Sequence, residues 1–190
     1  MSYYEALLFL HILATIIWIG AGVSLQFLTF RGRQTHDGQF LQSVGAMSDW
    51  LAQRLFIPSS LTVFVLGVLL TIEGPWSFDS LWIDIGLAGF AFSFLTGLLF
   101  LKPEGDRIGR AIAAHGPTSA EASFHIGRID AVQRLELVIL ILVVAAMSIK
   151  PTADDEVTLV IGALILAVAV ALAIRSLSRL PNREHLPQQT

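Results

Sequence analysis

The chain has 190 residues, of which 54% are hydrophobic and only 14% charged, with a mean hydropathy of +0.70. Soluble domains carry about a quarter charged residues, so there is too little polar surface here for a soluble fold of this size. A net charge of −3 gives no basic field for nucleic acid, and the absence of cysteine removes disulfides, thiolate metal sites and Fe–S clusters.

A bilayer core of about 30 Å takes roughly 20 apolar residues in a helix. Residues 6–30 supply the first such stretch, with no ionisable group except His11. It lacks a basic leader and is too long for the core of a cleaved signal, so it is expected to stay as a helix. Over residues 39–54, Phe40, Val44, Leu51 and Leu55 fall at helical spacing. That predicts a helix in the membrane interface, turning at Pro58 into a second span over residues 55–72. Glu73-Gly74-Pro75-Trp76 is a tight turn, and Trp76 and Trp82 suit an interfacial aromatic belt.

Residues 81–101 form the third span, with Asp84 near its start. A short amphipathic piece over residues 106–114 then ends at His115-Gly116-Pro117. The fourth span is the weakest, because residues 137–149 give only 13 apolar positions. Thr118-Ser119-Ala120-Glu121 nevertheless has the pattern of a capping box, which starts a helix near Ser119 that runs unbroken to Ile149. Within it Asp130 and Arg134 are spaced for an ion pair, and Arg134 and Glu136 are expected to snorkel to the head groups. Residues 157–174 make the fifth span.

Eleven of the 12 lysines and arginines fall in alternate connections, leaving Lys150 alone on the other side. The positive-inside rule puts the eleven in the cytoplasm, the N-terminus outside and the C-terminus inside. The fold class is therefore an all-α polytopic bundle of five transmembrane helices in a bacterial cytoplasmic membrane. Residues 1–150 read as a four-helix membrane bundle, 151–176 as an outer hairpin with a fifth helix, and 177–190 as a polar cytoplasmic tail.

His11 is the main candidate for chemistry. It shares one helical stripe with Ala14, Thr15, Trp18, Gly22 and Gln26, a small and polar face that should point into the bundle. An ionisable group at that depth marks a functional site by default, either as a haem or metal ligand or as a proton relay; the alternative is a hydrogen bond that only holds helices together. Thr15, Trp18 and Gly22 would line such a site, and Asp84 is a weaker metal-ligand candidate near the same end. Glu121, His125 and Arg128 share a helical face that reads as solvated. His36, His115 and His185 show no metal-like spacing. Gly20 and Ser24, Gly89-Ser93-Gly97 and Ala163-Ala167-Ala171 repeat at four-residue spacing, as helix-packing faces do.

His11-Ile12-Leu13-Ala14 followed by Trp18-Ile19-Gly20-Ala21-Gly22 resembles the first helix of a bacterial family of predicted integral membrane proteins of unknown function. The likeness continues through Pro58-Ser59-Ser60, Glu73-Gly74-Pro75-Trp76-Ser77 and the third-span run Trp82 to Leu87, and ends near Ile149-Lys150-Pro151. The first-helix element is also distantly similar to the CopD and HemJ membrane proteins. The HemJ resemblance implies haem b on His11; the CopD resemblance implies copper, for which this chain offers three methionines and no cysteine. HemJ-like proteins also use an intramembrane lysine, and the apolar spans here contain none. The family pattern has four helices, so the fifth is an addition.

Two functions follow as expectations. In one, the protein binds haem or a metal ion through His11, with no catalytic activity favoured over binding. In the other it is a structural or assembly subunit, joined to a membrane-protein partner or a second copy through its small-residue faces. A permease is weaker, since there is no internal repeat and no deep acidic chain.

Overall fold

A computed structural model describes residues 2–35 and 37–180. His36, His185 and most of the expected polar tail lie outside the described residues. The elements are α1 (Tyr3–Gln34), α2 (Gly38–Leu51), α3 (Ile57–Glu73), α4 (Leu81–Thr96), α5 (Lys102–His115), α6 (Ala120–Ile149) and α7 (Glu156–Ser178). No strand occurs among the described residues. Among the described residues five helical stretches are long and apolar enough to cross a membrane, as expected.

Helix starts and stops follow local chemistry. Ser2 and Glu5 form a reciprocal capping box at the start of α1. The N-cap of α6 is Ser119, whose hydroxyl oxygen accepts from the Ala122 N–H at 3.3 Å. Glu121 is therefore one place short of the box position and turns instead to His115, 3.4 Å away. Lys150 ends α6 in the left-handed conformation, at φ 56°.

Pro58 and Pro103 do not break their helices. A proline inside a helix lacks the N–H that would bond four residues back, and its ring crowds that carbonyl. In both places a π-helical turn absorbs the fault: Ala52–Phe56 joins α2 to α3, and Gly97–Leu101 joins α4 to α5. The N–H of Ile57 reaches the carbonyl of Ala52, and that of Lys102 the carbonyl of Gly97. Gly38–Glu73 and Leu81–His115 are thus continuous helices of 36 and 35 residues. The turn expected at Pro58 is a register shift within one helix.

Helix α6 is the hub, touching α1, α4, α5 and α7, while α1 also packs on α2 and α3. The contacts define two ends. At one, the Trp76 indole N–H donates to the Tyr4 hydroxyl at 3.3 Å, and Trp76 and Trp82 meet edge to face with centroids 5.2 Å apart. The Lys150 ammonium lies 3.8 Å from the centroid of Trp76. At the other end, Arg33 meets Asp130, Gly38 lies beside Thr118, and Gly127 faces Leu180. Tyr4 and Leu180 therefore sit at opposite ends, as five crossings require.

The interior is thin and built on small residues. A Cβ at Gly89 would lie 2.3 Å from Cγ2 of Val143, so α4 and α6 approach closely there. Gly20, Gly22 and Gly97 have nothing within 4 Å of that position, and Ser24 is exposed, bonding only the carbonyl of Gly20. Ala163, Ala167 and Ala171 are exposed too, on a helix with no buried residue. Of the small-residue rows, only the Gly89-Ser93 part packs within the chain, because the other two turn away from it. Gly89→Val should lower stability by about 1–3 kcal/mol, since Val143 is β-branched and cannot swing aside. Gly22→Ala should leave it unchanged or slightly raised. Thermal unfolding midpoints in detergent check the pair.

Candidate functional site

His11 sits between α1 and α3. Its Cε1 would be 3.3 Å from a Cβ on Gly67, so the missing side chain at residue 67 makes room for the ring. Nδ1 is buried and has no hydrogen-bond partner. The stripe faces inward: Ala14 is buried, and His11, Thr15, Trp18 and Gly22 are half-buried beside exposed Ile12, Leu13, Ile16 and Ile17. The Thr15 hydroxyl donates to the carbonyl of His11 at 2.8 Å, so it stays on its own helix. Trp18 reaches across to Phe90 edge-on, at 6.4 Å between centroids. Phe90 in turn stacks on Phe64 at 4.7 Å. Asp84 is exposed in the first turn of α4.

A second polar site lies deeper. The Ser93 hydroxyl on α4 donates to Oε1 of Glu136 on α6. Glu136 thus turns inward instead of snorkelling. At 1.5 Å per residue, Ser93 is about 18 Å along from Leu81 and Glu136 about 20 Å back from Ile149. Both helices are entered from the same end, so the two groups meet at one depth. That matched count was the signal available in the sequence.

The end rich in lysine and arginine carries two ion clusters. Glu104, just past the third apolar span, is 1% exposed, and His125 is 2% exposed. His125 Nδ1 lies 2.7 Å from Glu104 Oε2, while Arg107 and Arg128 both donate to Oε1, Arg128 at 2.9 Å. Burial alone would raise the Glu104 pKa. Hydrogen bonds from His125 and Arg107, with the charges of Arg128 and His125, outweigh it and hold the carboxyl below the usual glutamate range. With Glu104 ionised, Nδ1 is the donor, and the buried Nε2 has no partner. Arg128 also lies over the rings of Phe100 and Phe124, 5.3 and 5.8 Å from their centroids. The face expected to be solvated is thus half interior: Glu121 meets water while His125 ties α5 to α6. Nothing local marks this, because the partner of His125 is 21 residues away.

In the second cluster Asp130 is 7% exposed and accepts from both Arg33 and Arg134, each at 2.7 Å on Oδ2. The Asp130–Arg134 spacing was visible in sequence; the arrival of Arg33 from α1 was not. Gln26, the last member of the His11 stripe, donates to the carbonyl of Gln133 at 2.7 Å.

Five lipid-length helices, polar groups turned inward and ion clusters at one end define a multi-pass integral membrane protein. Residues 5–151 match the model of a family described as predicted integral membrane protein (DUF2269), and the chain belongs to that family. No curated protein and no solved structure matches it. Helix α7 lies beyond the matched segment. Among the described residues no three His, Asp or Glu side chains come together as a metal-binding group, and no assembled haem site is seen.

Glu104→Gln removes the charge that two guanidinium groups share above a buried imidazole. It should cost about 2–4 kcal/mol, less than a fully buried pair because both arginines are partly exposed. A depressed folded pKa means this stabilisation is whole above the unfolded value of about 4.5 and is lost as pH falls through the folded one. The gap in melting temperature between wild type and variant should therefore be constant near neutrality and close in acid.

Proposed function

We propose that this protein binds a tetrapyrrole of the haem b type, which His11 would hold. The observation that carries the reading is the buried Nδ1 of His11, which makes no hydrogen bond of ordinary length; the nearest backbone acceptor to the ring is the carbonyl of Val63 on α3. A bare ion bound within the helices calls for three or four protein ligands, and His11 has no such company. A haem brings four nitrogens of its own and asks the protein for only one or two. The metal-ion alternative, with Asp84 as a second ligand, has less support, since Asp84 is exposed. Thr15, Trp18 and Gly22 would flank the group along the same stripe, and bound haem would supply redox chemistry in the outer half of the membrane. The distant similarity to HemJ proteins points the same way; the lack of an intramembrane lysine in the apolar spans speaks for binding rather than an oxidase activity of that kind.

A second reading, a structural or assembly subunit, is favoured by α7. This helix packs mainly on α6, lies beyond the family match, and turns the Ala163-Ala167-Ala171 row away from the bundle. A membrane-protein partner or a second copy could pack closely on that row.

Protein purified in detergent and titrated with hemin should develop a Soret band. His11→Ala should lose it while keeping its helical circular dichroism. A colourless protein after titration, or equal binding by the variant, contradicts the haem reading and leaves the second one.

A further inference from the structure

Helix α6 forms the floor of a groove whose walls are α1 and the end of α7. Two cavities of about 340 and 320 Å³ share Phe30, Asp130 and Arg134, so they run into each other. Arg33 and Ser176 line the first cavity alone and Val23, Gln26 and Phe27 the second alone, so the groove runs from Arg33 past Arg134 and Phe30 to Phe27. Phe27 is 67% exposed and lies within the first apolar span, where its neighbour is hydrocarbon. The guanidinium groups stand at the end that carries ten of the 11 lysines and arginines among the described residues.

The charges here are unequal. Two guanidinium groups share one oxygen of one carboxylate, which leaves an excess positive charge. The side chains of Arg33 and Arg134 are 42% and 58% exposed, so N–H donors remain free on each. A basic head over an aromatic trough, opening sideways to lipid, has the polarity of a phospholipid molecule. Basic pockets between helices on the cytoplasmic side suit anionic head groups, since that leaflet is negative and guanidinium forks match phosphate.

We propose that this groove seats an anionic phospholipid of the inner leaflet, its phosphate on Arg33 and Arg134 and an acyl chain along Phe30 and Phe27. The excess charge selects against zwitterionic lipids, whose amine it repels. Asp130 holds the two arginines in place and at the same time tempers their attraction. The site is independent of His11, which lies near the other end of α1.

Detergent-purified protein is titrated with phosphatidylglycerol, phosphatidylcholine and inorganic phosphate, and bound lipid is read by native mass spectrometry. Phosphatidylglycerol should bind about tenfold more tightly than phosphatidylcholine, and phosphate should not compete at the same concentration. Arg33→Gln and Arg134→Gln each leave Asp130 one partner, and each should weaken phosphatidylglycerol binding about tenfold. Asp130→Asn should bind as tightly as wild type or more so, a direction that misfolding cannot mimic. Equal affinity for the two lipids, competition by free phosphate, or arginine variants that bind like wild type overturns the proposal.

Discussion

A peptide group in hydrocarbon has no water to bond, and each one left unpaired costs several kcal/mol. This constraint accounts for how the chain passes its prolines. In water a helix can end before a proline and begin again after it. Here Pro58 and Pro103 sit in long helices, and the ladder shifts to bonds five residues back. The shift keeps α2 joined to α3 and α4 joined to α5. It also sends α5 directly onward from its span, which sets Glu104 against His125.

The same constraint decides what holds the bundle together. Side chains gain little by leaving lipid for a protein interior, so close approach and polar pairing have to join the helices. Both occur along α6. Gly89 lets the backbone of α4 come close, Ser93 meets Glu136, and the ion clusters fasten α5 and α1 near the end rich in lysine and arginine. Helix α7 has none of these contacts and no buried residue, in keeping with its place beyond the family's shared segment.

The number of spans and the inward stripe around His11 were legible because lipid length and helical period leave few alternatives. The weakest span proved to be the central one. α6 reads poorly as a membrane helix for the reason that makes it the hub: a helix surrounded by other helices can carry Asp130 and Glu136 on faces that meet protein. Which helix each of these reaches depends on tertiary approach, so the ends of Glu136 and His125 were misjudged from their own neighbours in sequence. The glycine and alanine rows show the same limit. Four-residue spacing marks a face able to pack, and only at Gly89 and Ser93 does another helix of this chain lie against it. Gly67, across from His11, had no local mark either, since its role is to be small opposite a ring on another helix.

The placement of both proposed sites depends on which end of the bundle faces the cytoplasm. Among the described residues the Tyr4, Trp76 and Lys150 end has one lysine or arginine, and the Arg33, Glu104 and Asp130 end has the other ten; that difference orients the His11 site and puts the arginine groove in the inner leaflet. The chain has no native cysteine, so single cysteines report cleanly. In intact cells a membrane-impermeant maleimide should label Ala153→Cys at once and Gln39→Cys only after the membrane is opened. The reverse pattern, or labelling of both from one side, would contradict the threading.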